Sequence, residues 1–176
     1  YGSYEKLLAD PKVEAVYIPL PNTMHYEWTI RALKSGKHVL CEKPLAPTEA
    51  QAEEMFKAAE ENHVYLMEAF AYQHSPYIAA VRKEIENGTI GDVRYMESAY
   101  ITSDYDPKNI RMRRDTLGGC TYDLGVYNTS LILRILGDEP AKVRAIASFS
   151  EEKIDTLTSA IFELSLIHIS EPTRRT

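Results

Sequence analysis

The sequence has few cysteines, no long apolar run and no long basic run. Its 176 residues contain two cysteines, Cys41 and Cys120, which cannot form a disulfide framework and which we interpret as reduced, partly buried thiols. No segment approaches the roughly 20 apolar residues of a bilayer helix, and none has the pattern of a signal peptide. The net charge of −6 and the pI of about 5.4 give phosphate backbones little to bind. We therefore expect a cytoplasmic protein without a membrane or nucleic-acid partner.

Two further patterns are missing. The five histidines and two cysteines have no metal-ligand spacing, so we expect no metal. No G-x-G-x-x-G motif is present. Because the chain starts without Met inside a helical pattern, we expect further residues to precede Tyr1.

The C-terminal residues have an unusual origin in our interpretation. The segment "LSLIHISEPTR", Leu164 to Arg174, resembles the translated adapter of transposon-based sequencing libraries. The alternative is a strand followed by a polar tail, since "SLIHIS" alternates. We expect residues 164–176 to be non-native and residues 1–163 to be an internal fragment of a longer protein.

Strand and helix patterns alternate in the first part of the chain. Short apolar runs predict strands at residues 14–20, 38–42 and 64–70. Helical spacing predicts helices at residues 25–34, with Gly36 as a C-terminal stop, and 49–62, opened by a capping box of Thr48 and Gln51. Strands separated by helices of this length pair in parallel with right-handed crossovers. Residues 1–73 are therefore predicted to be part of a Rossmann domain.

The pattern changes after Pro76. We predict a helix at residues 77–86, a strand at 92–102, a polar loop at 103–117 and a further helix that ends at Gly137. Two more strands are predicted at 142–150 and 155–162. The predicted fold class is α/β, with a partial Rossmann parallel sheet followed, from a boundary near Gln73, by an incomplete α+β domain with a mostly antiparallel sheet at residues 74–163.

Polar clusters follow all three strands of the predicted parallel sheet. They are Pro21-Asn22, Glu42-Lys43-Pro44 and Tyr72-Gln73. Each cluster alone is explained by a turn, a solvated charge or a linker. Ligands of open parallel sheets bind beyond the carboxyl ends of the strands, so the coincidence of three clusters at one rim favours a binding site.

Three motifs resemble those of the Gfo/Idh/MocA oxidoreductases, the glucose-fructose oxidoreductase and inositol dehydrogenase family. They are "PNTMH", "AL-x-SGKHVLCEKPLA" and "GGCTYDLGVYN", and "DPKNIR" is most similar to the sugar and dihydrodiol dehydrogenases. The resemblance covers residues 1–163. It implies a Rossmann domain that binds NAD or NADP, an α/β domain that binds a sugar or polyol, and a homo-oligomer, dimer or tetramer, for the full-length protein. The family's G-x-G-x-x-G motif and the residue that selects NAD or NADP are expected to precede Tyr1.

The resemblance also implies roles for single residues. Glu42 and Lys43 match the family's E-K-P motif, in which the Glu contacts the cofactor and the Lys reaches both cofactor and substrate hydroxyl. Further cofactor contacts are implied for Leu20, Pro21, Asn22, His25 and Gln73. Substrate contacts are implied for Lys43, Tyr72, Arg111, Asp123 and Tyr127, of which Lys43, Asp123 and Tyr127 are the implied catalytic residues.

Tyr127 stands where inositol dehydrogenases have His, and this puts acid/base chemistry on a phenol with an ordinary pKa of about 10. We expect the Lys43 ammonium to lower the pKa of Tyr127 so that its phenolate can take a hydroxyl proton. Two other departures are Cys120, at a position usually occupied by Gly, and Ser130, where some members carry an acid; the second weakens the case for an inositol substrate.

Three function classes stay open on these residues. A sugar, polyol or cyclic-diol dehydrogenase is favoured because Lys43, Asp123 and Tyr127 are all present. An NAD-dependent glycoside hydrolase of the same fold and a non-catalytic sugar or dinucleotide sensor are the alternatives, since a fold does not determine a function. For the fragment by itself we expect no activity.

Overall fold

The computed structural model describes residues 1–102, 106–137 and 139–164. Its first part is a three-stranded parallel sheet in the order β1-β2-β3. The elements in chain order are α1 (Tyr4–Leu8), β1 (Ala15–Ile18), α2 (Asn22–Lys34), β2 (His38–Cys41), α3 (Glu49–Glu61) and β3 (Leu66–Glu68). The predicted parallel Rossmann-like sheet is confirmed, although all three strands are shorter than predicted.

Helices α2 and α3 pack against each other and cover one face of this sheet. Right-handed crossovers that run in the same direction along a sheet leave their helices on the same side. Ile18, Val39 and Cys41 point into the resulting core, whereas Tyr17 and Leu40 on the opposite face are exposed. The strands therefore alternate in burial, with one face in the core and the other exposed.

The helix ends follow the predicted local chemistry. The Thr48 hydroxyl accepts a hydrogen bond from the Gln51 amide at 3.3 Å, which caps the first turn of α3. After α2, Gly36 takes a φ of +72°, a conformation that favours glycine over residues with a Cβ. The hydrogen bond of Thr48 determines where α3 begins, and the conformation of Gly36 determines where the chain leaves α2 for β2.

The second part contains short helical turns, two helices and a hairpin. Its elements are 3₁₀ turns at Ala71–His74, Ile110–Met112 and Arg114–Thr116, a π-helical turn at Thr121–Gly125, and α4 (Pro76–Glu86), α5 (Val126–Leu136), β4 (Pro140–Phe149) and β5 (Asp155–Leu164). Strands β4 and β5 pair in antiparallel orientation, as predicted, and α4 packs on α5. Within the described residues no helix has the length and apolarity needed to cross a membrane.

One prediction needs correction. Residues 92–102 form no strand, although their sequence partly alternates, because the described residues supply no partner strand with which this segment could form backbone hydrogen bonds. Leu164 is the last residue of β5 and pairs with Pro140, while the non-native origin of residues 164–176 stays a prediction. The remaining tail residues, 165–176, lie outside the described residues, as do residues 103–105 of the predicted loop.

Candidate active site

A lysine from the first part and a carboxylate from the second form an ion pair at the end of β2. Lys43 Nζ donates to Asp123 Oδ1 at 2.8 Å and to the Asp123 carbonyl at 2.5 Å. The Nε of Arg111 forms an ion pair with the other carboxylate oxygen of Asp123, 2.8 Å away. Only 11% of the Lys43 side chain and 19% of the Asp123 side chain are exposed, against 56% for Arg111. Three predicted site residues are thus brought together across 80 positions of sequence.

Tyr127 lies beside this ion pair, at the start of α5. The Lys43 ammonium is 4.9 Å from the centroid of the Tyr127 ring, within the range of a cation–π contact. Three further aromatic rings surround Tyr127: Phe70 at 5.5 Å, Tyr100 at 6.0 Å and Tyr72 at 6.3 Å between centroids. The phenol therefore sits in an aromatic wall next to a charged group.

The predicted effect of Lys43 on Tyr127 is wrong. Burial raises the pKa of the Tyr127 phenol above its ordinary value, and the carboxylates of Glu42 and Asp123 raise it further, while Arg111 acts in the opposite direction. The Lys43 ammonium is paired with the Asp123 carboxylate and lies over the Tyr127 ring. Because the nearby carboxylate offsets the positive charge, Lys43 does little to stabilise a Tyr127 phenolate. Tyr127 is consequently protonated at neutral pH and suited to donate a proton.

The predicted cofactor residues lie around the ends of β1 and β2. Glu42 Oε1 accepts a hydrogen bond from the Tyr17 hydroxyl at 2.5 Å, which orients the carboxylate. Asn22 Nδ2 donates to the Leu117 carbonyl at 2.8 Å, so its amide connects the start of α2 to the loop that precedes the Asp123 turn. Pro21 caps α2.

His25 has a structural position that the sequence did not indicate. Its ring is completely buried. Nδ1 lies 2.7 Å from the Pro44 carbonyl, and Nε2 lies 2.7 Å from the Leu20 carbonyl. Both partners can only accept, so the neutral ring donates to one of them, and it donates to both only when both ring nitrogens carry a proton. The ring thus serves the backbone of two strand ends, and a cofactor contact would require one of these contacts to be exchanged.

Tyr72 and Gln73 contact α5. The Tyr72 hydroxyl and the Ser130 hydroxyl are 2.6 Å apart, and Gln73 Nε2 donates to the same Ser130 oxygen at 3.1 Å. Arg134 donates to the Gln73 carbonyl oxygen. Ser130 is therefore the residue on α5 that both of these predicted site residues contact.

Two glycines allow the Asp123 turn to approach its neighbours. A Cβ on Gly118 would lie 2.3 Å from the Arg111 carbonyl oxygen, and Gly119 has a φ of +117°. The turn is also held by Asp155, the first residue of β5, whose Oδ2 accepts from the Thr121 amide at 2.7 Å and the Thr121 hydroxyl at 2.6 Å. Burial alone raises the pKa of Asp155, but hydrogen bonds from Thr121, Cys120 and Thr158 outweigh it and hold the pKa below its ordinary value.

Gly118→Ala is expected to lower the free energy of unfolding by about 1–3 kcal/mol, the usual cost of overpacking, because the new methyl group meets fixed backbone atoms. Urea-induced unfolding measures this loss. Gly125→Ala is the matched control, since its Cβ would have no neighbour closer than 3.6 Å and Ala favours helix over Gly. Equal stability of the two variants would contradict the packing explanation.

Two open clefts flank these residues. A cleft of about 560 Å³ is lined by Glu68, Phe70, Gln73 and residues along α5. A larger one of about 890 Å³ is formed by the Arg113–Asp115 turn and residues 150–152, and no predicted site residue lines it.

Within residues 1–102, 106–137 and 139–164, no three His, Cys, Asp or Glu side chains are arranged to hold a metal ion. Burial raises the pKa of the Cys41 thiol to about 11, so this cysteine is unreactive.

The sequence interpretation missed three residues that orient the site: Tyr17, Glu68 and Asp155. Glu68 is the last residue of β3 and accepts from the Leu45 amide. It had a visible signal, because a carboxylate at the carboxyl end of an apolar strand is the same feature that identified Glu42. Tyr17 and Asp155 had none, since an aromatic residue in a strand and an Asp after a turn are both ordinary.

The chain matches two family models. Residues 1–70 match an oxidoreductase family with an NAD-binding Rossmann fold, and residues 78–167 match the Gfo/Idh/MocA C-terminal domain. These matches agree with the three sequence motifs. The predicted boundary near Gln73 lies between the two matched ranges.

Several named relatives are similar over almost the whole chain. D-xylose 1-dehydrogenase (NADP(+)) 2 from Haloferax volcanii is 39% identical over 93% of this chain and 50% of the relative. Trans-1,2-dihydrobenzene-1,2-diol dehydrogenase from Xenopus laevis is 34% identical over 94% of this chain and 50% of the relative. The crystal structure of a 3-ketoreductase from Actinomadura kijaniata in complex with NADP and TDP-benzene has a TM-score of 0.83 and 34% identity, over 90% of this chain and 49% of the reductase. The chain thus spans about half the length of the curated relatives it matches.

Proposed function

Because this chain belongs to the Gfo/Idh/MocA family of oxidoreductases, we propose that the protein containing it transfers a hydride between a nicotinamide cofactor and a carbinol or carbonyl carbon of a sugar, polyol or cyclic diol. The observation that carries the proposal is the Lys43–Asp123 ion pair, 2.8 Å long, with the Tyr127 ring 4.9 Å from the Lys43 ammonium. The named dehydrogenases and reductases among the relatives support it.

The residues at the strand ends fit a dinucleotide. Glu42 offers a carboxylate at the carboxyl end of β2, oriented by Tyr17, and such a group accepts hydrogen bonds from ribose hydroxyls. The Leu20–Asn22 segment lies at the adjacent strand end. When bound, the nicotinamide ring of the cofactor would accept the hydride in oxidation and donate it in reduction. Neither the residues present nor the relatives distinguish NAD from NADP, so both enter the test.

The chain's own residues would handle the proton. In the reductive direction the protonated Tyr127 donates its proton to the substrate oxygen as that oxygen gains charge, and Lys43 stabilises the charge as a hydrogen-bond donor. In the oxidative direction the same proton moves from the substrate hydroxyl to the Tyr127 phenolate. Asp123 holds Lys43 in place, and Arg111 holds Asp123. Both directions share one transition state, so the same residues serve both.

The proposed function is tested by turnover of the whole protein that contains these residues. A panel of aldoses, polyols, cyclic diols and the corresponding carbonyl compounds is offered with NAD(H) and NADP(H), and the absorbance of the reduced nicotinamide is followed while products are identified. A net change in cofactor with an oxidised or reduced product supports a dehydrogenase. Cleavage of a glycoside without net cofactor change would indicate the hydrolase, and binding without any product would indicate the sensor.

Residues 1–176 by themselves are expected to show no measurable binding of NAD or NADP. The pyrophosphate of a dinucleotide binds at a helix N-terminus that follows a glycine-rich turn, and no G-x-G-x-x-G motif is present. Isothermal titration calorimetry of the 176-residue chain checks this, with the whole protein as the positive control. Tight dinucleotide binding by the 176-residue chain would show that the strand-end residues suffice.

The homo-oligomeric state stays a prediction, and so does the identity of the substrate. The relatives' names support a small-molecule substrate with neighbouring hydroxyl or carbonyl groups. Ser130, bound to Tyr72 and Gln73, is the position on α5 that we expect to differ between substrate classes.

A further inference from the structure

One peptide group beside Lys43 is held at both of its ends. The carbonyl of Pro44 lies 2.7 Å from His25 Nδ1, and the amide of Leu45 donates to Glu68 Oε1 at 2.8 Å. These two atoms belong to the same peptide, the one that follows the Lys43-Pro44 dipeptide. Fixing both ends fixes the rotation of the peptide plane.

The same contacts join the ends of three strands. His25 Nε2 reaches the carbonyl of Leu20, just beyond β1, while Pro44 follows β2 and Glu68 is the last residue of β3. We name this arrangement, His25 and Glu68 with the Pro44–Leu45 peptide and the Leu20 carbonyl, the strand-end clasp. It connects the segment proposed to contact the cofactor with the turn that carries Lys43.

Most of the clasp is buried, so water does not easily replace its hydrogen bonds. His25 is completely buried and Leu45 is 7% exposed, while Glu68 is half-buried and borders the cleft of about 560 Å³. Burial raises the pKa of the Glu68 carboxyl, with the Leu45 amide and His25 acting in the opposite direction. A carboxyl oxygen accepts a hydrogen bond in either protonation state, so the clasp needs an acceptor at this position and not a charge.

An apolar side chain of the same size at position 68 would avoid the cost of burying a carboxyl but would leave the buried Leu45 amide without an acceptor. The hydrogen bond also fixes the backbone next to Lys43, whose long flexible side chain must bring its ammonium to Asp123 at 2.8 Å beside the Tyr127 ring. Its direction depends on the backbone from which it starts, and misplacement of a catalytic group by about 1 Å can cost on the order of 10²-fold in rate.

We propose that His25 and Glu68 are positioning residues that set the direction of Lys43 by holding the Pro44–Leu45 peptide from both sides. The proposal rests on the proposed function. It gives His25 a role through the backbone and assigns Glu68 a part in catalysis that involves no contact with substrate or cofactor.

The test compares Glu68→Met with Glu68→Gln in the whole protein. Met keeps the length and volume of the side chain but offers no oxygen, and we expect kcat to fall by about 10- to 100-fold with little change in the KM for the cofactor. Gln keeps an acceptor oxygen and is expected to recover most of the turnover. Glu54→Met is the matched control, because Glu54 is an exposed acid on α3 that bonds to Tyr26. His25→Gln attacks the clasp from the other end: its amide nitrogen can still donate to Leu20, but the bond to Pro44 is lost, so kcat should fall again.

A double variant separates positioning from simple destabilisation. In a Lys43→Met background, Glu68→Met should cause no further loss of kcat, because the residue it orients is gone. An equal loss in both backgrounds, or wild-type kcat in Glu68→Met or His25→Gln, would overturn the proposal.

Hydrogen exchange at the Leu45 amide, measured by mass spectrometry, gives a readout without turnover. Protection should be lost in Glu68→Met and kept in Glu68→Gln. Absence of turnover in the wild-type protein would contradict the proposed function. Continued protection of the Leu45 amide in Glu68→Met would contradict the strand-end clasp, whether or not the protein turns over substrate.

Discussion

Lys43→Met is expected to lower kcat of the whole protein by roughly 10²- to 10⁴-fold, the range associated with loss of acid/base chemistry. Methionine preserves the stem of the side chain but removes the donor that meets both the carboxylate and the carbonyl of Asp123. The Lys43 side chain is only 11% exposed, so solvent does not replace the ammonium. Arg111 keeps its bond to Asp123, and the fold should therefore survive.

Steady-state kinetics on the best substrate of the panel measures this loss. Lys57→Met is the control for removal of a lysine–carboxylate pair, because Lys57 is 73% exposed and lies 3.8 Å from Glu61. An exposed pair of this kind contributes little, so its variant should keep wild-type turnover. Retention of turnover in Lys43→Met would leave the ion pair a purely structural role.

Tyr127→Phe is expected to lower kcat by a similar factor, roughly 10²- to 10⁴-fold, since it removes the hydroxyl proton of the phenol and leaves the ring. The contacts of the ring with Phe70 and Tyr100 are preserved. Cofactor affinity should persist for the same reason. The double variant with Lys43→Met should be little worse than either single one, because residues that act as a unit are not additive.

The pH profile gives the second readout for Tyr127. Its pKa is raised above the ordinary value near 10, so the phenol stays protonated through neutral pH. The rate of reduction should therefore be independent of pH near neutrality and fall as the pH rises through the raised pKa of Tyr127. Oxidation, which needs the phenolate, should increase with pH over the same interval.

In Tyr127→Phe both alkaline limbs should disappear. Tyr77→Phe, which alters a tyrosine that is 70% exposed on α4, should retain them. Near-wild-type turnover in Tyr127→Phe would show that Tyr127 is not the proton donor and acceptor. Proton transfer would then be assigned to Lys43 alone or to a water held by Asp123.

Local sequence patterns predicted the elements whose causes are local. The Thr48 cap begins α3 where expected, and β4 and β5 form from two alternating runs joined by a short turn. Residues 92–102 have an equally good alternating pattern and yet form no strand, because pairing depends on a partner that lies elsewhere in the chain. Helical spacing alone would put Phe56 on the apolar face of α3, but this side chain is 53% exposed and Ala58 is buried instead.

The candidate site was predicted in part, for a related reason. Strand-end position and motif resemblance identified Lys43, Asp123, Arg111 and Tyr127, and the structure brings these four together. The direction of the Tyr127 pKa was missed because it depends on burial and on which charges are already paired. Neither quantity can be obtained from spacing along the chain.

The anchoring of the Asp123 turn by Asp155 also matters for protein engineering. Oδ2 of this one side chain accepts from the Cys120 thiol, the Thr121 amide, the Thr121 hydroxyl and the Thr158 hydroxyl. The Asp123 turn and the β4–β5 hairpin therefore depend on each other, although more than 30 residues separate Thr121 from Asp155. In protein chimeras they should be exchanged together. Chimeras that import residues 118–127 from a relative should import that relative's β5 as well, and crossover points between α5 and β5 are expected to yield misassembled active sites.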